Sequence, residues 1–226
     1  MARHTRIAGI TVGQSPRTDM TCDLVQRLAD NLELVEYGAL DGMTLEQVES
    51  ELKPEPGEEV LVSRMSDGRQ ATFSGDKVVP LVQAKIDQAE ADGCRAIIVL
   101  CTGSFPELRH TVPLIFPQPL LHSNARALAG GRRVAVMVPD PSQIEQAREW
   151  WSMCGVEVDI VSASPDQGID GVTRAAATLK GADDAFLCLD CMGFTLAMRD
   201  AARRASGLDV LLPRTLVASV VSELLG

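Results

Sequence analysis

The sequence is short of aromatic side chains, with one Tyr, two Trp and five Phe in 226 residues. A β-sandwich core draws heavily on such residues, so layers of helix and sheet filled by Ala, Val and Leu are the better expectation. Positive charge is also scarce. Lys and Arg number 21 against 31 Asp and Glu, a formal net charge of −10, which argues against extended contact with nucleic acid or an anionic membrane. A small anionic ligand stays open, because one local Arg or a helix N-terminus binds it whatever the total charge.

No apolar run approaches the ~20 residues that span a bilayer. The opening "MARHTRIAGITVG" is basic but lacks the apolar core and cleavage site of a secretion signal, and the expected location is cytoplasmic. The six cysteines (Cys22, Cys94, Cys101, Cys154, Cys188 and Cys191) then read as reduced thiols rather than a disulfide framework. Cys188 and Cys191 have CxxC spacing, but a second pair is missing and the three histidines are scattered, so no metal site is expected. A redox role for that pair is disfavoured, because residues three apart on a strand point to opposite faces.

Strand and helix signals alternate along the chain. Strands are expected at "RIAGITVG", "LELVEYGAL", "RAIIVLC", "RRVAVMV", 156–162, "DAFLCLDC" and "LDVLLPRT". Helices are expected at about 18–31, 44–52, 78–92, between Cys101 and the Pro-rich "PLIFPQPLL", and at 141–154, 168–180, 194–206 and 216–225. Asp67-Gly68 between alternating residues predicts a β-hairpin at about 59–74. Alternation of this kind implies parallel sheets with right-handed crossovers. The two halves also match: Ile7 aligns with Val134 and Cys101 with Cys191, the hairpin region accounting for the longer first half. The expected fold is α/β, with two pseudo-symmetric lobes of mainly parallel sheets and a hairpin insertion in the first. The lobes are expected at 1–120 and 121–226, with the last helix able to pack back on the first.

Ligands of open parallel sheets collect beyond the carboxyl ends of the strands. Four segments put unusual residues there: "GQSPRTD", "CTGSFP", "DCMGF" and "PRT". If the lobes face each other, these converge on one cleft with Cys101 and Cys191 on opposite walls. Two thiols so placed suit inversion of a carbon centre without a cofactor, one removing a proton and the other returning one. The amides of Thr102, Gly103, Met192 and Gly193 are expected to hold a carboxylate or enolate, with Gln14, Ser15 and Arg17 after the first strand and Arg214 and Thr215 before the last helix as further anion contacts. Arg64 is a candidate lid residue. Trp150 and Trp151 read as packing, His110 and His122 as surface or capping residues, and Cys188 as a buried apolar side chain.

The segments "TVGQSPRTD", "LDG", "LVSRMSDG", "LCTGSFP", "LDCMGF", "MRDA" and "LLPRTLVASVVSELL" together resemble the AroM family along almost the whole chain. That family is similar in turn to the Asp/Glu racemase superfamily, whose members work without cofactors, often through two cysteines in the positions of Cys101 and Cys191. The resemblance implies a racemase- or isomerase-type enzyme acting on a small carboxylate, with catalytic Cys101 and Cys191, no cofactor, and a homodimer as the common assembly. It supplies no reaction. Racemases of that superfamily commonly carry Thr and His after the second cysteine, where this chain has Met192 and Gly193, and Asp190 stands just before the thiol. Isomerisation and decarboxylation therefore stay open. So does a non-catalytic binding or regulatory role on the same scaffold, linked to aromatic (shikimate) metabolism.

Overall fold

A computed structural model describes residues 4–58 and 60–226. Residues 1–3 of the basic opening and residue 59, the expected start of the hairpin, lie outside the described residues. The chain divides into two compact units, one of residues 1–18, 28–116 and 220–226, the other of 19–27 and 117–219.

The first unit carries strands β1 (Thr5–Thr11), β2 (Leu32–Gly38), β5 (Ile97–Val99) and β6 (Leu114–Ile115), all parallel in the order β2-β1-β5-β6. The second carries β7 (Val134–Val138), β8 (Val158–Ser162), β9 (Leu187–Leu189) and β10 (Val210–Leu211), all parallel in the order β10-β9-β7-β8. Counted in chain order within its own unit, each sheet reads 2-1-3-4. The α/β architecture and the internal repeat are both present, and β1 matches β7 while β5 matches β9, as the alignment of Ile7 with Val134 and Cys101 with Cys191 requires.

The central strands are apolar throughout because both of their faces are covered. Ile97, Ile98 and Val99 are fully buried, as are Val134, Ala135, Val136 and Met137. Alternate side chains of the second sheet enter separate cores. Val134, Val136 and Cys188 pack with Leu121, Ala125 and Trp151, while Ala135, Met137, Leu187 and Leu189 pack with Val172, Ala176 and Ala202. Cys188 is thus the buried apolar residue expected.

The helices are α1 (Thr18–Val25), α2 (Leu45–Glu51), α3 (Gly75–Ala91), α4 (Pro117–Ala129), α5 (Ile144–Met153), α6 (Gly168–Ala177), α7 (Leu196–Ser206) and α8 (Pro213–Leu225). Helix α1 stops at Val25, short of the expected 31, and three others depart from expectation for identifiable reasons. No helix forms between Cys101 and the Pro-rich segment; instead α4 begins at Pro117, since prolines in a first turn forfeit only amides that have no partner there. Leu121, Ala125 and Ala129 give α4 its buried stripe. Helix α3 starts three residues early because the Ser74 side chain accepts from Lys77 N. Helix α8 takes in Pro213, Arg214 and Thr215, which were expected to precede it.

The hairpin pairs β3 (Val60–Arg64) with β4 (Gln70–Ser74), antiparallel. Gly68 takes φ +87° in the connecting loop, a backbone state open mainly to glycine. Among the described residues no helix is long and apolar enough to cross a membrane.

Candidate active site

The two cysteines end equivalent strands in the same local geometry. Cys101 lies two residues beyond β5, half-buried, and the Gly103 amide donates to its Sγ at 3.3 Å. Cys191 lies two residues beyond β9, half-buried, and the Gly193 amide donates to its Sγ at 3.3 Å. An amide N–H aimed at sulfur stabilises negative charge there. The glycines permit the approach. A Cβ on Gly103 would meet Cys101 Sγ at 3.3 Å, and one on Gly193 would meet Cys191 Sγ at 3.4 Å and Pro165 Cγ at 2.9 Å. The Gly103 and Gly193 amides, expected to hold an anion, donate here to the sulfurs of their own turns.

In the first unit, the loop after β1 is wired to its surroundings. The Asp41 carboxylate accepts from the Ser15 amide, the Ser15 hydroxyl and the Gly38 amide, each at 2.8 Å. A Cβ at Gly38 would collide with Asp41 Oδ1 and Ser15 N, so only glycine admits this arrangement. Gln14 is buried. Its Nε2 donates to the Leu40 and Met43 carbonyls at 3.0 and 2.8 Å, and its Oε1 accepts from Ser66 N at 2.7 Å. Gln14 and Ser15, expected as substrate contacts, make these internal bonds here, and those of Gln14 fasten the hairpin and the Leu40–Met43 turn to the β1 loop. Arg17 is half-buried; its amide donates to Glu36 Oε2 at 2.6 Å and its Nη1 to Ser63 Oγ at 3.2 Å. Thr102 is half-buried beside Cys101, and Arg64, half-buried, lends its carbonyl to Gln14 N.

In the second unit, Arg214 is fully buried. Its Nε donates to the Met192 carbonyl at 3.1 Å, Nη2 donates to the same oxygen, and Nη1 reaches Asp23 Oδ2 at 2.9 Å and the Asp19 carbonyl at 3.3 Å. Burial draws the Arg214 pKa down, and the Asp23 carboxylate opposes the effect. A guanidinium bonded in this way is an internal clamp, and these bonds are what the structure places where a contact with a substrate anion was expected. Thr215, expected as an anion contact before the last helix, lies inside α8 and its hydroxyl donates to the Leu212 carbonyl at 3.0 Å. Met192 is buried, and its role here is the carbonyl that Arg214 holds.

Asp190, one residue before the thiol, is buried, and Trp151 Nε1 donates to its Oδ2 at 2.9 Å. Burial pushes the carboxyl up to about 6, and the Trp151 bond works in the other direction. Burial, then Asp190, pushes the Cys188 thiol well above its usual range. His122 is not a surface residue: it is 4 % exposed, its ring stands 4.2 Å from that of Trp151, and its Nδ1 lies 3.2 Å from Cys154 Sγ. Burial lowers it to about 4, so it is a neutral imidazole. Sequence reasoning missed Asp23, Asp41 and the polar side of Trp151. The only early signal was the "LDG" segment, which contains Asp41.

The fold is shared with several enzymes of known structure. An allantoin racemase from Klebsiella pneumoniae superposes with a TM-score of 0.69 at 16 % identity, covering 97 % of this chain and 87 % of that one. The maleate isomerase Iso from Pseudomonas putida S16 gives 0.66 at 13 % identity over 98 % and 93 %. An arylmalonate decarboxylase gives 0.57 at 16 % identity over 95 % and 91 %. No curated protein matches by sequence. The profile of the AroM protein matches residues 7–225, essentially the whole chain, and the chain belongs to that family.

Proposed function

We propose that this protein is a cofactor-independent enzyme of the racemase and isomerase kind, acting on a small carboxylate with Cys101 and Cys191 as its acid/base pair. One observation carries the reading. Each unit ends its third strand on a half-buried cysteine whose sulfur accepts the amide of the glycine two residues on. A structural cysteine has no need of an aimed N–H, whereas a thiol that alternates with thiolate does. In the proposed step one thiolate takes the proton from the substrate α-carbon, the electron pair moves into the carboxylate as an enolate, and the other thiol returns a proton to that carbon. Arg17 and Thr102, both half-buried at the ends of β1 and β5, are the proposed contacts for the substrate carboxylate. The relatedness of the fold to two kinds of isomerase and a decarboxylase supports this class of chemistry over others.

The test is exchange of the α-hydrogen in heavy water, followed by NMR over a panel of small 2-substituted carboxylates. Cys101→Ser and Cys191→Ser should each slow exchange by about 10²–10⁴, the usual contribution of a positioned acid or base. Exchange that continues undiminished in both variants removes the mechanism. Ligand-induced thermal stabilisation without any exchange in the parent protein would instead support a binding or regulatory role.

A further inference from the structure

We infer that Arg214, held by Asp23, is a positioning residue for Cys191, an assignment that rests on reading Cys191 as an acid/base group. Beyond β9, Cys191 N bonds to the Leu189 carbonyl and Phe194 N to the Cys191 carbonyl at a long 3.4 Å. Arg214 adds a restraint from another element. Two of its N–H groups converge on the Met192 carbonyl, which fixes the peptide immediately after the cysteine. Asp23 fixes the guanidinium in turn, and the same Asp23 Oδ2 accepts the amide of Leu196, the first residue of α7, at 2.8 Å. One carboxylate oxygen therefore ties together, directly or through Arg214, residues 192 and 196 of the stretch that follows the thiol.

The clamp is also a fixed positive charge. The side chain of Arg214 is sealed from solvent and that of Asp23 is 14 % exposed, so water screens neither well. The Cys191 and Cys22 sulfurs both lie within electrostatic reach of the guanidinium. A cation near a thiol favours the thiolate, and the Gly193 amide acts in the same direction. Against them stands Asp190, buried on the other side of the cysteine in sequence, with Cys188 behind it. The charged and titratable groups around Cys191 thus include Arg214 on α8, Asp23 and Cys22 on α1, and Asp190 with Cys188 on β9 and just beyond it. Nothing in this arrangement requires Arg214 to touch substrate.

The test uses the full-length protein and iodoacetamide, with the alkylation rate of each cysteine read by peptide mass spectrometry across pH 6–9. Arg214→Gln should slow Cys191 alkylation at neutral pH by about fivefold to tenfold and move its pH midpoint upward, because a rise of one unit in pKa costs tenfold in thiolate. Cys101 should keep its rate, and Arg214→Lys should recover part of the loss by restoring the charge without the two-point grip. Cys94 and Cys188 are buried and report unfolding. If both become labelled in Arg214→Gln, then Arg214→Lys decides, with a threefold or greater slowing at Cys191 against the parent expected, because the charge stays while the two-point grip is lost. Unchanged or faster labelling of Cys191 in the folded variants overturns the assignment. The readout needs no turnover, so it stands apart from α-hydrogen exchange: exchange unaffected by Cys191→Ser would sink the catalytic reading, whereas the labelling experiment tests the clamp itself.

Discussion

Replacing Asp190 by Asn should stabilise the protein at neutral and alkaline pH and leave it unchanged near pH 4. The carboxyl is 8 % exposed and titrates at about 6 in the folded chain, chiefly because burial penalises its charge, with the Trp151 N–H only partly offsetting that. In the unfolded chain it would titrate near its ordinary value of about 3.9. Between those values the folded protein holds a proton that the unfolded chain has released. The associated stability is therefore fully present below about pH 4 and is lost as pH rises through about 6. At about 1.4 kcal/mol per unit the full difference amounts to about 3 kcal/mol. Asn has the same shape, offers Oδ1 to the Trp151 indole and never ionises. For a chain of this size 1 kcal/mol moves Tm by about 2–4 °C, so the variant should melt about 6–12 °C higher than the parent at pH 8, with the gap closing by pH 4. Thermal melts at half-unit steps from pH 4 to pH 8 measure this directly. A gap independent of pH, or a variant less stable at pH 8, refutes the reasoning.

The glycines beside the two sulfurs should respond unequally to alanine. At Gly193 a Cβ meets the Pro165 ring at 2.9 and 3.3 Å, and overpacking of that kind costs about 1–3 kcal/mol; at Gly103 its nearest neighbour is the Cys101 sulfur at 3.3 Å, and the entropic gain of Gly→Ala, about 0.4–1 kcal/mol, nearly cancels the cost. Denaturant titration should place Gly193→Ala well below Gly103→Ala, and equal stabilities would contradict the packing. Gln14→Ala should cost about 2–4 kcal/mol by leaving the Ser66 amide and the Leu40 and Met43 carbonyls without their partner. Loss of ligand affinity at undiminished stability in that variant would restore Gln14 to the substrate.

Much of the fold was legible because the central strands are unbroken apolar runs. β1, β5, β7 and β9 need only burial on two faces to be recognised, and the cysteine-to-glycine endings of β5 and β9 repeat within the sequence itself. What escaped was set by local or long-range detail. Helix α4 was obscured by two prolines that are harmless in its first turn. The start of α3 depended on the hydroxyl of Ser74, and α8 reached back over Pro213. At the site, candidate anion donors were identified by type, but their partners lie far along the chain. Asp41 is 26 residues from Ser15, Asp190 is 39 from Trp151, and Arg214 is 191 from Asp23. No periodicity reports such pairings, and each converts a donor that looks available into one that is spent. His122 was misjudged for a related reason, since its burial follows from the position of α4.

The Asp41 carboxylate seated on Ser15 and Gly38 is in effect a ligand carried by its own receptor. Three residues from Gly38 and brought to Ser15 by the fold, it competes at an effective concentration of about millimolar or more, so a free acid present at micromolar levels loses the contest for those donors. On the proposed function, the choice among small acids would fall to Arg17 and the surroundings of the thiols rather than to Ser15 and Gly38.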